Sequence, residues 1–284
     1  MAVELPVRAI APPARPSGRM DRIRWTLVDG RTVVWRNLMQ LKSQPGELVG
    51  AIIFPAIMVV LFGYVFGSAI KVPGGGNYRE YLMPGLFAMT ALTSLMTTML
   101  AVATDASKGV MDRFRSMPMA RSAVPFGQVG GDILIGVVGL VAMVGCGYAV
   151  GWRIHHGILS ALAAFGLLIL LRYALSWAGV LFGLLVKNEE TADQMLPLVF
   201  PLSMLSNSFV PTAGMPAWLR VISDWNPVSA VVAACRGLFG NPGVPAGHVA
   251  LPLQHPVVAT LLWSTVLLAV FAPLAIRRYR TANR

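Results

Sequence analysis

The sequence predicts an all-α integral membrane protein with six transmembrane helices, and three observations carry that reading. Only 12% of its 284 residues are charged and 56% are hydrophobic, against about 25% charged in soluble domains. Six apolar stretches approach the roughly 20 residues that a bilayer core of about 30 Å requires. The basic residues gather in alternate loops between those stretches. The net charge of +11 therefore reads as topology, since no basic face or aromatic-basic motif of a nucleic-acid binder accompanies it.

Residues 1–19, rich in proline and arginine and without a signal-like apolar core, read as a disordered cytoplasmic tail. Residues 20–47 form an amphipathic helix, with Trp25, Val28, Thr32, Trp35 and Met39 on one stripe and Arg22, Asp29 and Arg36 off it. Two tryptophans among arginines suit a helix lying in the inner interface. Pro45-Gly46 then turns the chain into the membrane domain, 48–276.

The expected spans are 48–70, 81–103, 128–150, 158–186, 194–210 and 256–276. At ~43 Å of helix the fourth is too long for a perpendicular crossing. The fifth is short and carries Pro197 and Pro201, so a kinked helix is expected. GxxxG spacings at Gly63/Gly67, Gly147/Gly151 and Gly179/Gly183 allow close helix contact.

Residues 1–47, 104–127, 187–193 and the basic tail 277–284 hold seventeen Lys and Arg, whereas 71–80, 151–157 and 212–255 hold five. The asymmetry places both termini in the cytoplasm. Segment 212–255, whose apolar patch is interrupted by Arg236, reads as one or two short helices on or dipping into the outer face. Trp152, His155 and His156 read as an outer interfacial anchor rather than a metal site.

The chemistry of the sequence is sparse. There is no GxxxxGK[ST] phosphate loop, HExxH or GxSxG, and Cys146 and Cys235 form no cluster. No cofactor is expected in this chain. Asp132 and Arg172 alone fall clearly inside spans, each at ~2.5–3.5 kcal/mol on insertion scales. From the span limits they sit ~6 Å and ~21 Å from the inner end. They are therefore not expected to pair, and Asp132 is expected to act against the basic loop 104–127.

In that loop, Lys108, Asp112, Arg113, Arg115 and Arg121 alternate with Val110, Met111, Phe114 and Met117, a pattern that fits either a solvated positive loop or docking into a groove on a partner. Along the second span Thr90, Thr93, Ser94, Thr97, Thr98 and Thr104 make a hydroxyl face, and the fifth carries Ser203, Ser206, Asn207 and Ser208. These either line an amphipathic path, with Thr90, Ser94, Thr97, Ser203 and Asn207 as its candidate residues, or simply pack helices and bond i−4 carbonyls.

Five segments in order give the chain a family likeness: RNLMQLKSQPGEL, FPAIMVVLFGYVFGSAI, YREYLMPGLFAMTAL, DASKGVMDRFRSMPMARSAVPFGQV and NPVSAVVAACRGLFGN. In these it resembles the permease subunit of type-2 ABC exporters, in particular the daunorubicin-resistance permease group. The resemblance implies a permease homodimer, or a pair with a related permease, driven by two copies of a separate ATPase that holds ATP and Mg. It makes Lys108, Asp112, Arg113, Phe114 and Arg115 part of a coupling helix and 212–255 an extracellular helical hairpin. Spans one, two and five would line the path of an amphipathic drug, antibiotic or lipid leaving across a bacterial cytoplasmic membrane. The competing readings are a proton-coupled efflux carrier, which wants intramembrane acidic relays absent here, and a membrane scaffold for a cytoplasmic partner.

Overall fold

The computed structural model describes residues 32, 34, 35, 39, 53, 56–65, 72, 75–111, 113, 123–186, 188–243 and 250–281. The described residues fold into helices joined by turns and loops. The elements are α1 (Tyr78–Ser107), α2 (Ala123–Val150), α3 (Ile158–Gly183), α4 (Glu189–Asp193), α5 (Val199–Met204), α6 (Ala217–Asp224), α7 (Pro227–Phe239), α8 (Leu251–Gln254) and α9 (Pro256–Thr281). Four of them, α1, α2, α3 and α9, are long and apolar enough to cross a membrane. They coincide with the second, third, fourth and sixth expected spans. Most of the first expected span and of the 20–47 helix lies outside the described residues, although 32, 34, 35, 39, 53 and 56–60 are helical. Residues 56–60 then pass into a π-helical turn, Leu61–Val65.

Side-chain pairs fix which ends of these helices meet. At the Tyr78 end, Arg79 Nη1 donates to Val150 O (3.4 Å) and His155 Nε2 lies 3.0 Å from Glu80 Oε1. At the Ser107 end, Gln128 Nε2 donates to Asp105 Oδ2 (2.5 Å) and Lys108 pairs with Glu189 (3.9 Å). Helices α1 and α3 thus run parallel and α2 antiparallel to both. α1 is the central helix, buried over most of its length, whereas α2 and α9 expose apolar faces such as Leu134, Val137 and Val141, and Leu262, Val266 and Val270.

Glycine sets the α1–α3 contact. A Cβ on Gly179 would stand 2.5 Å from Leu95 O, and one on Gly183 2.6 Å from Met99 O. Small residues bring two backbones this close because lipid gives apolar helices little other reason to associate. Among the described glycines of the three GxxxG spacings, Gly179 and Gly183 meet the backbone of another helix.

Residues 194–210 do not form the single kinked helix expected of them. They comprise a 3₁₀ turn (Leu196–Leu198), the six-residue α5 and turns from Leu205 to Phe209. Pro197 and Pro201 each remove a backbone N–H and crowd the preceding turn. Reach requires the break as well. The chain touches the Ser107 end at Glu189 and the Tyr81 level at Asn207. Those eighteen residues as one α-helix would reach ~27 Å, against ~39 Å along α1; between Glu189 and Phe209 the backbone instead runs as short helices and turns.

Segment 212–255 supplies α6, α7 and α8. α7 is bounded by local chemistry: Asn226 Oδ1 accepts from Val228 N (2.8 Å), Pro227 takes the first turn, and Gly240 closes the helix at φ 72°. Val228 to Arg236 are all buried, so α7 sits inside the bundle against α1, α3 and α9. α6 is its exposed counterpart, presenting Trp218, Val221 and Ile222 outward, with Trp225 exposed at its C-cap.

Candidate functional site

The polar groups that the sequence scatters along three spans converge at one level of the bundle. Arg172 of α3 donates through Nη2 to Asp132 Oδ1 of α2 (2.7 Å) and through Nη1 to Thr90 O of α1 (2.7 Å), with Nε on Asp132 O (3.3 Å). Ser176 Oγ donates to Asp132 Oδ2 at 2.7 Å, and Thr97 Oγ1 reaches Asp132 Oδ1 at 3.5 Å. Ser94 Oγ, fully buried, lies 3.4 Å from Ser176 Oγ. Both charges are about nine-tenths buried. A Cβ on Gly136 would overlap the Arg172 guanidinium, so glycine there makes room for the bridge.

This corrects the expectation that Asp132 and Arg172 lie too far apart in depth. The error was in the helix ends. α2 begins at Ala123, not Gln128, which puts Asp132 nine residues or ~14 Å from that end. α3 ends at Gly183, not Val186, which puts Arg172 eleven residues or ~17 Å from its own. Beside the pair, Thr90, Ala91, Gly136, Leu140, Leu168, Ile169 and Arg172 line a cavity of about 10 Å³, room for about one water.

The hydroxyls of α1 first serve their own helix. Thr90 donates to Phe87 O (2.7 Å), Thr93 to Met89 O (2.9 Å), Ser94 to Ala91 O (2.8 Å) and Thr97 to Thr93 O (3.2 Å). Ser94 is buried against α3, whereas Thr97 is exposed and Thr90 and Thr93 are half-buried. Ser203 is buried and donates to Phe200 O (2.7 Å). Asn207 is buried too; its backbone N accepts no proton but donates to Ser229 Oγ (3.1 Å), and its side-chain Oδ1 has no hydrogen-bond partner.

A second constellation escaped sequence reasoning. Arg236, 1% exposed, donates to the carbonyls of Tyr81 (3.1 Å), Asn207 (2.9 Å) and Ser208 (3.2 Å) and lies 3.6 Å over the Tyr81 ring. Tyr81 Oη donates to Asn207 O (3.1 Å) and Tyr78 Oη to Phe209 O (3.0 Å). The unwound carbonyls after α5 thus find donors on α1 and α7. An arginine inside an apolar patch was the visible signal, but its acceptors are main-chain atoms, which no residue type announces.

At the Ser107 end, Lys108 caps α1 and is exposed, as is Arg113; Met111 between them is buried. Asp112, Phe114 and Arg115 lie outside the described residues. Glu189 takes Lys108 and also accepts from Ser107 Oγ (3.4 Å). Among the described residues no group of His, Cys, Asp and Glu is arranged to hold a metal ion.

Comparison with known proteins follows the same span of chain. Residues 30–239 match the family described as ABC-2 type transporter. The sequence is 32% identical over 253 residues to the daunorubicin resistance ABC transporter permease protein of Streptomyces coeruleorubidus, covering 89% of this chain and 86% of that one. It is 28% identical to the doxorubicin resistance ABC transporter permease protein of Mycobacterium tuberculosis, covering 87% and 88%. An inner membrane transport permease of Escherichia coli is 25% identical, covering 70% and 77%.

Proposed function

The chain belongs to the ABC-2 type transporter family and is a multi-pass permease subunit whose ATP hydrolysis resides on a separate subunit; from that premise we propose that it exports amphipathic drugs. The observation that carries the proposal is likeness over nearly the whole chain to permeases named for daunorubicin and doxorubicin resistance. In this reading two permease copies meet in a bacterial cytoplasmic membrane. Each has six spans, an interfacial helix over 20–47 and both termini inside. The first span and the broken stretch 194–210 supply the crossings beyond α1, α2, α3 and α9. ATP and Mg are held by two copies of the ATPase.

Each proposed part has a stated job. The Ser107 end faces the cytoplasm, and Lys108, Asp112, Arg113, Phe114 and Arg115 seat in a groove of the ATPase. ATP-driven closure of the two ATPases then tilts the permeases. The substrate follows the face of α1 bearing Thr90, Thr93 and Thr97 and the stretch bearing Ser203 and Asn207; Ser94 holds α1 to α3 behind that face. Segment 212–255, with α7 sunk into the bundle, forms the extracellular hairpin and closes the outer end.

Purification of the chain from its own cells in mild detergent is the primary test. A stoichiometric companion carrying a phosphate-loop motif is expected, together with drug-stimulated ATP hydrolysis. Recovery of an active preparation without an ATPase would end the exporter reading. Charge reversal at Asp112 and Arg113 is expected to abolish drug stimulation while the complex still assembles; unchanged stimulation would remove the coupling role.

A further inference from the structure

α9 continues as helix beyond its apolar length, through Arg277, Arg278, Tyr279, Arg280 and Thr281. Tyr279 is buried in one cluster with Met111, Val124, Trp177 and Ala275, so this last turn is held against the bundle at the Ser107 end. Arg277, Arg278 and Arg280 on either side of it are exposed. Three guanidiniums are thereby fixed on an anchored turn of helix just where the apolar part of α9 stops. Arg277 and Arg280 stand three residues apart on the helix and repel each other, a cost that an anion among them would offset.

The usual uses of an arginine at a helix end are taken by other groups. Arginine often serves the last free carbonyls, but here Thr281 Oγ1 reaches the carbonyls of Arg277 (3.1 Å) and Arg278 (3.3 Å). At the same end of the bundle Glu189 pairs with Lys108, and Asp105 accepts from Gln128. Glu190 and Asp193 are exposed, but they belong to α4, which packs on α1. Among the described residues no carboxylate is paired with Arg277, Arg278 or Arg280.

The apolar surface leading to these arginines selects the ligand. Leu262, Val266, Val270 and Leu274 follow one another at four-residue steps along α9 and are all exposed. The next step of the ladder is Arg278, with Arg277 on its flank. From Leu262 to Leu274 the helix rises ~18 Å, close to the ~15 Å depth of one hydrocarbon leaflet. One phospholipid molecule therefore fits along α9, its chains on the ladder and its phosphate among the guanidiniums. Guanidinium forks match phosphate oxygens in pairs, which an ammonium cannot do. A headgroup with net negative charge is preferred, because a zwitterionic one brings its own cation up to the arginines.

We propose that the end of α9 is a binding site for an anionic phospholipid, with the phosphate held by Arg277, Arg278 and Arg280 and the acyl chains lying on Leu262, Val266, Val270 and Leu274. The site needs only that α9 crosses the membrane, so it stands or falls apart from drug export. The test is native mass spectrometry of the complex with its ATPase, or of the chain alone if no ATPase accompanies it, titrated with phosphatidylglycerol or phosphatidylcholine. The wild type is expected to bind phosphatidylglycerol at least about 10-fold more tightly than phosphatidylcholine. Arg277→Gln, Arg278→Gln and Arg280→Gln together are expected to abolish that preference. The same three positions changed to lysine are expected to keep it, because the charge is kept. A preference unchanged in the glutamine variant would overturn the site. Its loss in the lysine variant would also overturn it, by showing that the shape of the helix end and not its charge matters. Glycerol phosphate, the free headgroup, is expected not to displace the lipid; displacement would make this a site for soluble phosphates. Loss of the ATPase from a glutamine variant that keeps its lipid preference would assign the arginines to the partner protein instead.

Discussion

At the residue scale, the determining fact is that a charge inside a bilayer is tolerable only with its partner. Arg172 and Asp132 would each cost ~2.5–3.5 kcal/mol alone at mid-membrane. Together with Ser176 and the Thr90 carbonyl they satisfy each other across three helices. Removal of one partner, as in Asp132→Ala, is expected to cost about 3–5 kcal/mol by stranding the other. The paired change Asp132→Leu with Arg172→Met is expected to cost less than the single one. Thermal unfolding in detergent measures both; a double variant weaker than either single would show that the bridge is not the unit. Arg236→Lys is expected to destabilise as well, because a point ammonium cannot fork to the carbonyls of Tyr81, Asn207 and Ser208 together.

At the scale of elements, close approach and caps decide the packing. Gly183→Val is expected to push α1 from α3, since even a Cβ there meets Met99 O at 2.6 Å. Overpacking of this kind costs about 1–3 kcal/mol, readable as a lowered melting temperature. Asn226→Ala deletes the cap of α7 and is expected to cost about 1 kcal/mol. These features were legible in part. The GxxxG spacing and the Asn-Pro start of α7 stand in the sequence, and the turn chemistry acts within a few residues. The fate of 194–210 was not legible. Its prolines announced a bend, but where the stretch unwinds is set by carbonyls that Tyr81 and Arg236 hold from other helices.

At the scale of the whole molecule, charge asymmetry and helix ends make a single statement about orientation. With Cys146 and Cys235 replaced by alanine, Trp218→Cys is expected to react with an impermeant maleimide on intact cells, and Ser107→Cys only after lysis. The reverse pattern would invert the proposed topology. The candidate site was half legible at this scale. Residue types named the hydroxyl face and the fifth stretch, whereas the Arg236 constellation and the meeting of Phe62 with Phe200 and Phe209 were invisible, because Tyr81 lies 126 residues from Asn207 and 155 from Arg236, and Phe62 stands on a different stretch from the other two rings.

The sequence by itself determined that this is a helical membrane protein, where four of its long helices run, and which family it joins. Those properties depend on hydrophobic length, loop charge and motif order, which are read along the chain. Tertiary structure alone decided that Asp132 finds Arg172, that Arg236 holds an unwound turn, and that the fifth stretch is broken. Such pairings depend on axial register and rotation between helices. One residue moves a side chain ~1.5 Å along the axis and about 100° around it, so a span limit misplaced by a few residues changes every partner across the bundle.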